Sequence, residues 1–403
     1  MSFQPPKGTD DLLPPRSHGW RRALKLWDEM TERYGYPLVA TPIFEATELF
    51  ERGVGGTTEV VTKQMYTFTD KGGRSLTLRP EGTAGVVRAY LGSGATGAWK
   101  GAYSGPFFRY ERPQKGRYRQ FWQVGVEYLA VESPVADAEV IELGYRYLQA
   151  VGAREMELRL NSIGDPACRP AYVERLRSYL AEHRAVLSED GQRLIETNPL
   201  RVLDSKVDRP KLDDPPIVTE HLCDDCRKHY ETVKTLLDAV GVPYLEDPYL
   251  VRGLDYYTKT AFEYIGLGLD AAQNALGGGG RYDGLAETIG GPRTPGVGFA
   301  LGMDRIVIAA GWEEEAASLD AYLVSERGPE EALAVASELR AAGVKLDFDG
   351  EGRSVKAQFR TARRLGVPVV LVLKEDGSID AQTEGDRASL SVSEVPVWLE
   401  GRR

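Results

Sequence analysis

The stretch FFRYERPQKGRYRQFWQVGVE, residues 107–127, constrains the fold more than any other part of the chain. Apolar and polar residues alternate on both sides of a basic segment that contains proline and glycine, the pattern of two strands joined by a polar loop. Strand side chains alternate faces, so Phe107, Arg109 and Glu111 share one face, as do Phe121, Gln123, Gly125 and Glu127. The opposite faces carry Phe108 and Tyr110, then Trp122, Val124, Val126 and Tyr128, and suit a core. If the strands pair as an antiparallel hairpin, the polar residues form one floor. Inward-facing polar groups are costly unless they are paired or meet a ligand. Internal ion pairs such as Arg109 with Glu111, or a ligand floor, both fit. Arg109, Arg112, Lys115, Arg117 and Arg119 crowd into residues 109–119 of a chain with formal net charge −10. Any contact with a polyanion must therefore be local.

A length of 403 residues suggests two or three domains. Residues 17–35 predict a helix capped by Ser17, with a stripe of Trp20, Leu24, Trp27 and Tyr34, stopped by Gly35. Residues 37–53 predict an edge strand containing Pro42, then a short helix. Residues 75–91 predict strand, turn and a helix from Thr83, and residues 137–152 a helix ended by Gly152. From about residue 161 to 246 the chain becomes charged and helical, as an insertion into a core formed by residues 1–160 and 247–315. Residues 313–320 read as a linker, and residues 320–403 alternate strand and helix as a small α/β domain. No run of eighteen apolar residues predicts a membrane helix, and the N-terminal segment lacks the apolar region of a secretory signal. Three cysteines do not make a disulfide framework, so the expected compartment is the cytoplasm.

Several segments outside the hairpin carry chemistry. RPEGT puts Glu81 and Thr83 at a strand-to-helix turn, where backbone N–H groups are expected to point outward. VRGLDYYTKT places Arg252, Tyr256 and Tyr257 around a glycine. Gly277 to Gly280 allow close backbone approach to a ligand, although no Lys-Ser or Lys-Thr pair follows to make a P-loop. Arg305 stands at the start of a helix, as a surface residue or a ligand contact. Arginines at 109, 252 and 305 suit a triphosphate, because guanidinium stays charged and forms paired hydrogen bonds to phosphate. None of the four histidines lies in these segments, which excludes a histidine-dependent triad there. HLCDDCRKH gathers His221, Cys223, Cys226 and His229, residue types that bind zinc. A single Cys-x-x-Cys on one helix needs a second ligand pair, so no metal is expected and a helical surface segment is.

These segments together resemble the histidyl-tRNA synthetases, a family of class II aminoacyl-tRNA synthetases. TPIFEATELFERGVG is similar to the class motif 1 of the dimer interface, residues 105–127 to motif 2, and GVGFALGMDRIV to motif 3. LVRGLDYYTKTAFE and GGGGRYDGL resemble the two segments specific to the histidine enzymes, and KGTDDLLP, LRPEGT and NSIGD also fit. The resemblance covers nearly all of residues 5–312. It implies an α+β fold: an antiparallel-sheet class II catalytic core with a helical insertion, plus a C-terminal α/β anticodon-binding-like domain.

The resemblance also implies roles. Arg109 and Arg252 would bind the α-phosphate of ATP, with Arg305 on the far phosphates and one face of the adenine. Phe121 would stack on the other face and Glu111 would read the amino group. Glu81, Thr83 and Gln123 would hold the ammonium of L-histidine, Glu127 and Tyr257 its imidazole nitrogens, with Tyr256 and Tyr282 lining the pocket. Mg²⁺ would accompany ATP, and a homodimer is expected. Arg112, Gln114, Lys115, Arg117 and Arg119 would meet the acceptor end of histidine tRNA, or in part close over ATP. Arg353, Lys356, Arg360 and Arg364 fall at helical spacing as a basic stripe toward RNA or a solvated face. The competing reading is a non-catalytic paralogue, like the regulatory subunit of ATP phosphoribosyltransferase. Such paralogues lose the arginines retained here and lack the last domain.

Overall fold

A computed structural model describes residues 3–402, apart from residues 57, 154, 270–273 and 315–318. The middle of the expected linker, 315–318, thus lies outside the described residues. The chain forms two compact units, Met1–Leu12 with Trp20–Trp312, and Leu13–Gly19 with Glu313–Arg403.

The first unit is built on a seven-stranded sheet. Its strands are β1 (Trp99–Phe108), β2 (Gln120–Leu129), β3 (Met156–Ser162), β4 (Leu245–Glu246), β5 (Thr258–Gly266), β6 (Ala275–Arg281) and β7 (Gly296–Gly302). They lie in the order β1-β2-β7-β6-β5-β3-β4, antiparallel except for the short β3–β4 pair. The hairpin register sets Phe107 opposite Phe121, Gly105 opposite Gln123 and Gly101 opposite Glu127. Directly opposed residues share a face, so the predicted floor is a single surface. Val124 and Val126 turn the other way into the main core, with Trp122 and Tyr128 packed against it. Tyr110 is a correction: it lies beyond the strand end, is 53% exposed, and takes the Arg119 guanidinium over its ring at 3.8 Å.

Helices cover the apolar face. In α1 (Arg16–Arg33) the stripe residues Trp20 and Trp27 are buried, and Trp27 meets Tyr147 and Phe299 edge-on at 5.0 and 6.0 Å. Burying each such ring contributes roughly 1.5–3 kcal/mol. Ser17 is not the cap, since α1 already begins at Arg16 and the Ser17 N–H donates to Leu13 O. The strand expected around Pro42 is confined to Phe44–Ala46, past the proline that cannot donate to a ladder. The helix α2 (Thr83–Ser93) begins where predicted, and α3 (Pro134–Ala150) is capped by Ser133 and followed by Gly152 at φ +83°.

Asp137 of α3 and Arg281 of β6 form an ion pair with no exposure at either side chain. Burial pushes the Asp137 carboxyl up, but Arg281 and His229 hold it at about 2. His229 is thereby committed, its Nε2 lying 3.2 Å from Asp137 Oδ1.

Within residues 161–246, α4 (Arg169–Glu182) and the segments after it enclose a separate small core of Tyr172, Leu176, Ile195, Leu203 and Cys226. The last helix there, α5 (Asp224–Ala239), sends Tyr230, Val233 and Leu237 into the main core instead. Cys226 and His229 are buried, so HLCDDCRKH is not the expected surface segment. The helix α6 (Met303–Ala309) closes the unit behind β7.

The second unit carries a five-stranded sheet, ordered Leu346–Phe348, Ala321–Ser325, Val370–Leu373, Ile379–Gln382, Arg387–Leu390. The first three strands run parallel and the last two antiparallel. On α7 (Val355–Leu365), Lys356, Arg360, Arg363 and Arg364 are exposed. Arg353 is not on this helix; it precedes it and pairs with Asp349.

Candidate active site

The polar face of the hairpin opens on a cavity of about 320 Å³. Glu81, Thr83, Arg109, Glu111, Phe121, Gln123, Arg252, Tyr256, Tyr257 and Arg305 all line it. Residues from five separated segments thus converge on one space. The sheet brings β1 and β2 beside β7 and β6, and the turn before β5 delivers Arg252, Tyr256 and Tyr257.

The cations are held individually. Arg109 donates from Nε to Pro80 O at 2.8 Å and lies 5.4 Å over the Phe121 ring. Arg252 donates from Nη1 to Glu263 Oε1 at 2.7 Å. Burial pulls the Arg252 pKa down, but Glu263, with Tyr257 and Asp204, more than offsets this and raises it. Arg305 donates to Gly116 O at 3.1 Å and Ala275 O at 2.6 Å, and burial, with Arg117 close by, lowers its pKa. Arg252 Nε and Gln123 Oε1 are buried with no partner among the described residues. Orphaned buried polar atoms on a cavity wall are what a site built for a polar ligand leaves behind.

Three residues depart from the sequence expectation. The N–H groups at the start of α2 do not point outward: Glu81 accepts from Thr83 N at 2.7 Å and Ala84 N at 2.9 Å. Burial nonetheless raises the Glu81 pKa. Glu127 and Tyr282 lie beneath the cavity rather than on its lining, 0% and 1% exposed. Glu127 accepts from Thr83 Oγ1 at 2.8 Å, Tyr103 Oη at 3.4 Å and Tyr282 Oη. A carboxylate offers about four acceptor positions, so one remains. Burial pushes Glu127 up to about 8, against the hydrogen bonds from Tyr282 and Thr83.

The loop cations divide. Arg117 lines the cavity and pairs with Glu111, so Glu111 is not the partner of Arg109. Arg119 donates to Glu111 O and to Lys7 O, and its stem packs against Gly8, at φ +87°. Arg112, Gln114 and Lys115 are exposed at the loop tip and lie outside the cavity lining.

The family model described as Histidyl-tRNA synthetase matches residues 8–306. The chain belongs to the histidyl-tRNA synthetase family. A model described as Anticodon binding domain matches residues 307–395. A Histidine–tRNA ligase of Halothermothrix orenii is 45% identical over 394 residues, 94% of this chain and 93% of that protein. The apo histidyl-tRNA synthetase of S. aureus superposes with a TM-score of 0.78 at 36% identity, over 99% of this chain and all of that one. A Bacillus halodurans protein described as an ATP phosphoribosyltransferase regulatory subunit/histidyl-tRNA synthetase shares the fold, with a TM-score of 0.65 at 23% identity, over 89% of this chain and 96% of that one. The α+β class II architecture and the anticodon-domain match are therefore as the resemblance implied.

Within this family site, sequence reasoning missed Tyr103 and Glu263. Tyr103 lies two pleats before Phe107 on the same face, so carrying the alternation back would have found it. Glu263 interrupts the apolar run of β5, a charge that needed a partner. The glycine run forms β6: Gly277 and Gly278 line the cavity, while deeper in the sheet a Cβ at Gly280 would lie 2.5 Å from Thr260 O and 2.8 Å from the Tyr257 ring. Opposite, on β7, a Cβ at Gly298 would lie 1.9 Å from Glu127 Oε2 and 2.4 Å from Val126 O. Gly298→Ala is therefore expected to destabilise the fold by about 1–3 kcal/mol, read as a lower melting temperature by calorimetry. An unchanged midpoint would mean that Glu127 swings clear at no cost.

Proposed function

We propose that this chain is a histidine–tRNA ligase that works in two steps at this cavity. A carboxylate oxygen of L-histidine attacks the α-phosphorus of ATP, the bond to the β-phosphate breaks, and histidyl-adenylate and pyrophosphate result. A terminal ribose hydroxyl of histidine tRNA then attacks the activated carbonyl, its proton passes to a phosphate oxygen of the adenylate, and AMP leaves with the electrons of its acyl–phosphate bond. Such transfers need positioning and charge neutralisation more than side-chain base chemistry. The observation that carries the reading is the convergence of Arg109, Arg252 and Arg305 with Glu81 and Gln123 on one cavity. It supplies cations for a triphosphate and acceptors for an ammonium in the same space.

In this proposal Arg109 and Arg252 neutralise the α-phosphate, Arg305 takes the far phosphates and one adenine face, Phe121 the other, and Glu111 the amino group. Glu81, Thr83 and Gln123 hold the ammonium. The imidazole meets Tyr257 and the remaining acceptor position of Glu127, with Tyr256 and Tyr282 shaping the pocket. Arg117 is reassigned to the ATP side, since it already lines the cavity. Magnesium enters with ATP, held largely by phosphate oxygens. The Glu111, Glu263 and Asp304 side chains on the lining are oxygen donors of the type it takes.

Residues 161–246 act as an insertion between core segments 1–160 and 247–315, and residues 320–403 as the anticodon module, with Lys356 and Arg360 toward RNA. Arg353 is better accounted for by Asp349. A homodimer fits the apolar exposure near motif 1, where Leu38, Ile43, Phe44 and Phe68 are 43–76% exposed. No helix of the described residues is long and apolar enough to cross a membrane, in keeping with the proposed cytoplasmic location.

Histidine-dependent ATP–pyrophosphate exchange, followed by charging of histidine tRNA, tests the reading. Absence of exchange in folded protein would overturn it in favour of a regulatory paralogue. The double variant Arg112→Ala/Lys115→Ala is expected to leave exchange within about twofold of wild type. Charging should fall several-fold, with the salt dependence of tRNA binding shallower by about two ions. Equal loss in both reactions would place the loop tip over ATP instead.

A further inference from the structure

Three cysteines and an aspartate converge in the first unit, outside the lining of the active-site cavity. Asp165 and Cys168 stand in the turn between β3 and α4, while Cys223 occupies the N-terminal boundary position of α5 and Cys226 lies in its first turn. One ligand atom from each, a carboxylate oxygen and three sulfurs, lies within 4.8 Å of all the others. The Sγ atoms of Cys168 and Cys226 are 3.8 Å apart. Thiolates bound tetrahedrally at a zinc–sulfur distance of about 2.3 Å sit about 3.8 Å from one another. A disulfide requires about 2.05 Å, so these are separate thiols arranged at the spacing of a coordination shell.

We propose that Asp165, Cys168, Cys223 and Cys226 form a tetrahedral structural site for one zinc ion. The single Cys-x-x-Cys of the sequence lacked a second ligand pair, and the fold supplies it as Asp165-x-x-Cys168. The histidines of the same segment are engaged elsewhere, His229 with Asp137 and His221 stacked on Tyr172 at 5.7 Å. The carboxylate is already oriented: Asp165 Oδ1 accepts from Ala167 N at 3.0 Å and Cys168 N at 3.3 Å. Hydrogen bonds that hold a ligating carboxylate in place set its orientation toward the metal and tune its basicity. Cys168 and Cys226 are buried and Cys223 partly exposed, which leaves a path for entry. All four positions are protein ligands with none left open, the mark of a structural rather than a catalytic ion.

The site also explains a connection to the cavity wall. Arg169, adjacent to Cys168, donates to Ile163 O at 2.9 Å, Gly164 O at 2.9 Å and Tyr257 O at 2.6 Å. Fixing the turn that carries Asp165 and Cys168 fixes the guanidinium that holds the backbone of Tyr257.

The full chain, purified under reducing conditions without chelator, is expected to contain about one zinc per chain by elemental analysis. Cobalt(II) added to the demetallated protein should give thiolate charge-transfer absorption and the visible bands of a tetrahedral site, saturating near one equivalent. Asp165→Asn should weaken zinc binding at least about tenfold against a chromophoric chelator, and Cys223→Ser/Cys226→Ser should abolish it. Chelation should lower the melting temperature. If the variants fail to fold, the cobalt titration of the wild-type chain decides alone. Folded protein with no zinc, no tetrahedral cobalt spectrum and three freely titratable thiols would overturn the proposal. So would a Cys168–Cys226 disulfide that persists in reductant-treated protein.

Discussion

Arg252→Ala is expected to lower histidine-dependent ATP–pyrophosphate exchange by about 10²–10³-fold, with most of the loss in turnover rather than in KM. The Arg252 side chain is 16% exposed, on the cavity wall, where water screens charge poorly. Its Nη1 is engaged by Glu263, while its Nε is without a partner among the described residues. That orphan donor can meet charge that develops as the carboxylate closes on the α-phosphorus, at no reorganisation cost. The substitution also leaves the half-buried Glu263 without its cation, which threatens the fold separately. Arg252→Ala/Glu263→Gln separates the two effects. It should recover thermal stability lost in the single variant and recover no exchange. Arg252→Lys keeps the charge but not the paired hydrogen bonds, and should fall between. Exchange within twofold of wild type in a folded Arg252→Ala protein would remove Arg252 from the chemistry.

What was legible in the sequence follows a physical division. Strand alternation is local, so Arg109, Phe121 and Gln123 could be assigned to one face before any pairing was known; the register pairs Phe121 and Gln123 with Phe107 and Gly105, and Arg109, one residue past the strand end, joins them on the cavity lining. Depth is not local. That Glu127 lies under Thr83 and Tyr103 rather than on the cavity surface depends on helix α2, Gly298 and Tyr282, all distant in the chain. The start of α2 was read as a free helix N-terminus, yet Glu81 two residues back folds onto it. The cysteines show the same limit. Cys223 and Cys226 are neighbours in sequence, but the partners that complete their cluster come from the end of β3, not from the nearby histidines.

Glu127→Gln is expected to raise stability and damage function together. The Glu127 carboxyl has a folded pKa of about 8 against an ordinary value of 4.5, with burial as the cause. The folded chain therefore keeps a proton that the unfolded chain has lost between those two values, and stability falls as pH rises through that window. Above about pH 8 the accumulated penalty levels off, at up to roughly 5 kcal/mol for a shift of this size. Glutamine carries no charge, and the hydroxyls of Thr83, Tyr103 and Tyr282 can each turn to donate or accept. The variant should thus melt higher than wild type at pH 8–9, with the difference vanishing toward pH 4.5. Histidine recognition should move the other way. A Glu127 carboxyl oxygen accepting a ring N–H in a buried pocket orients the imidazole whether or not the group is ionised, and an amide can present its NH₂ to that ring nitrogen instead. With a buried polar pair left mismatched, the KM for histidine should rise by about a hundredfold or more, with ATP binding little changed. A Glu127→Gln chain that melts no higher at pH 9 would show that the carboxylate is stabilised in place. Its ionised form would then be the resting state of the site. An unchanged KM for histidine would instead remove Glu127 from imidazole recognition and leave that task to Tyr257 and the hydroxyls above it.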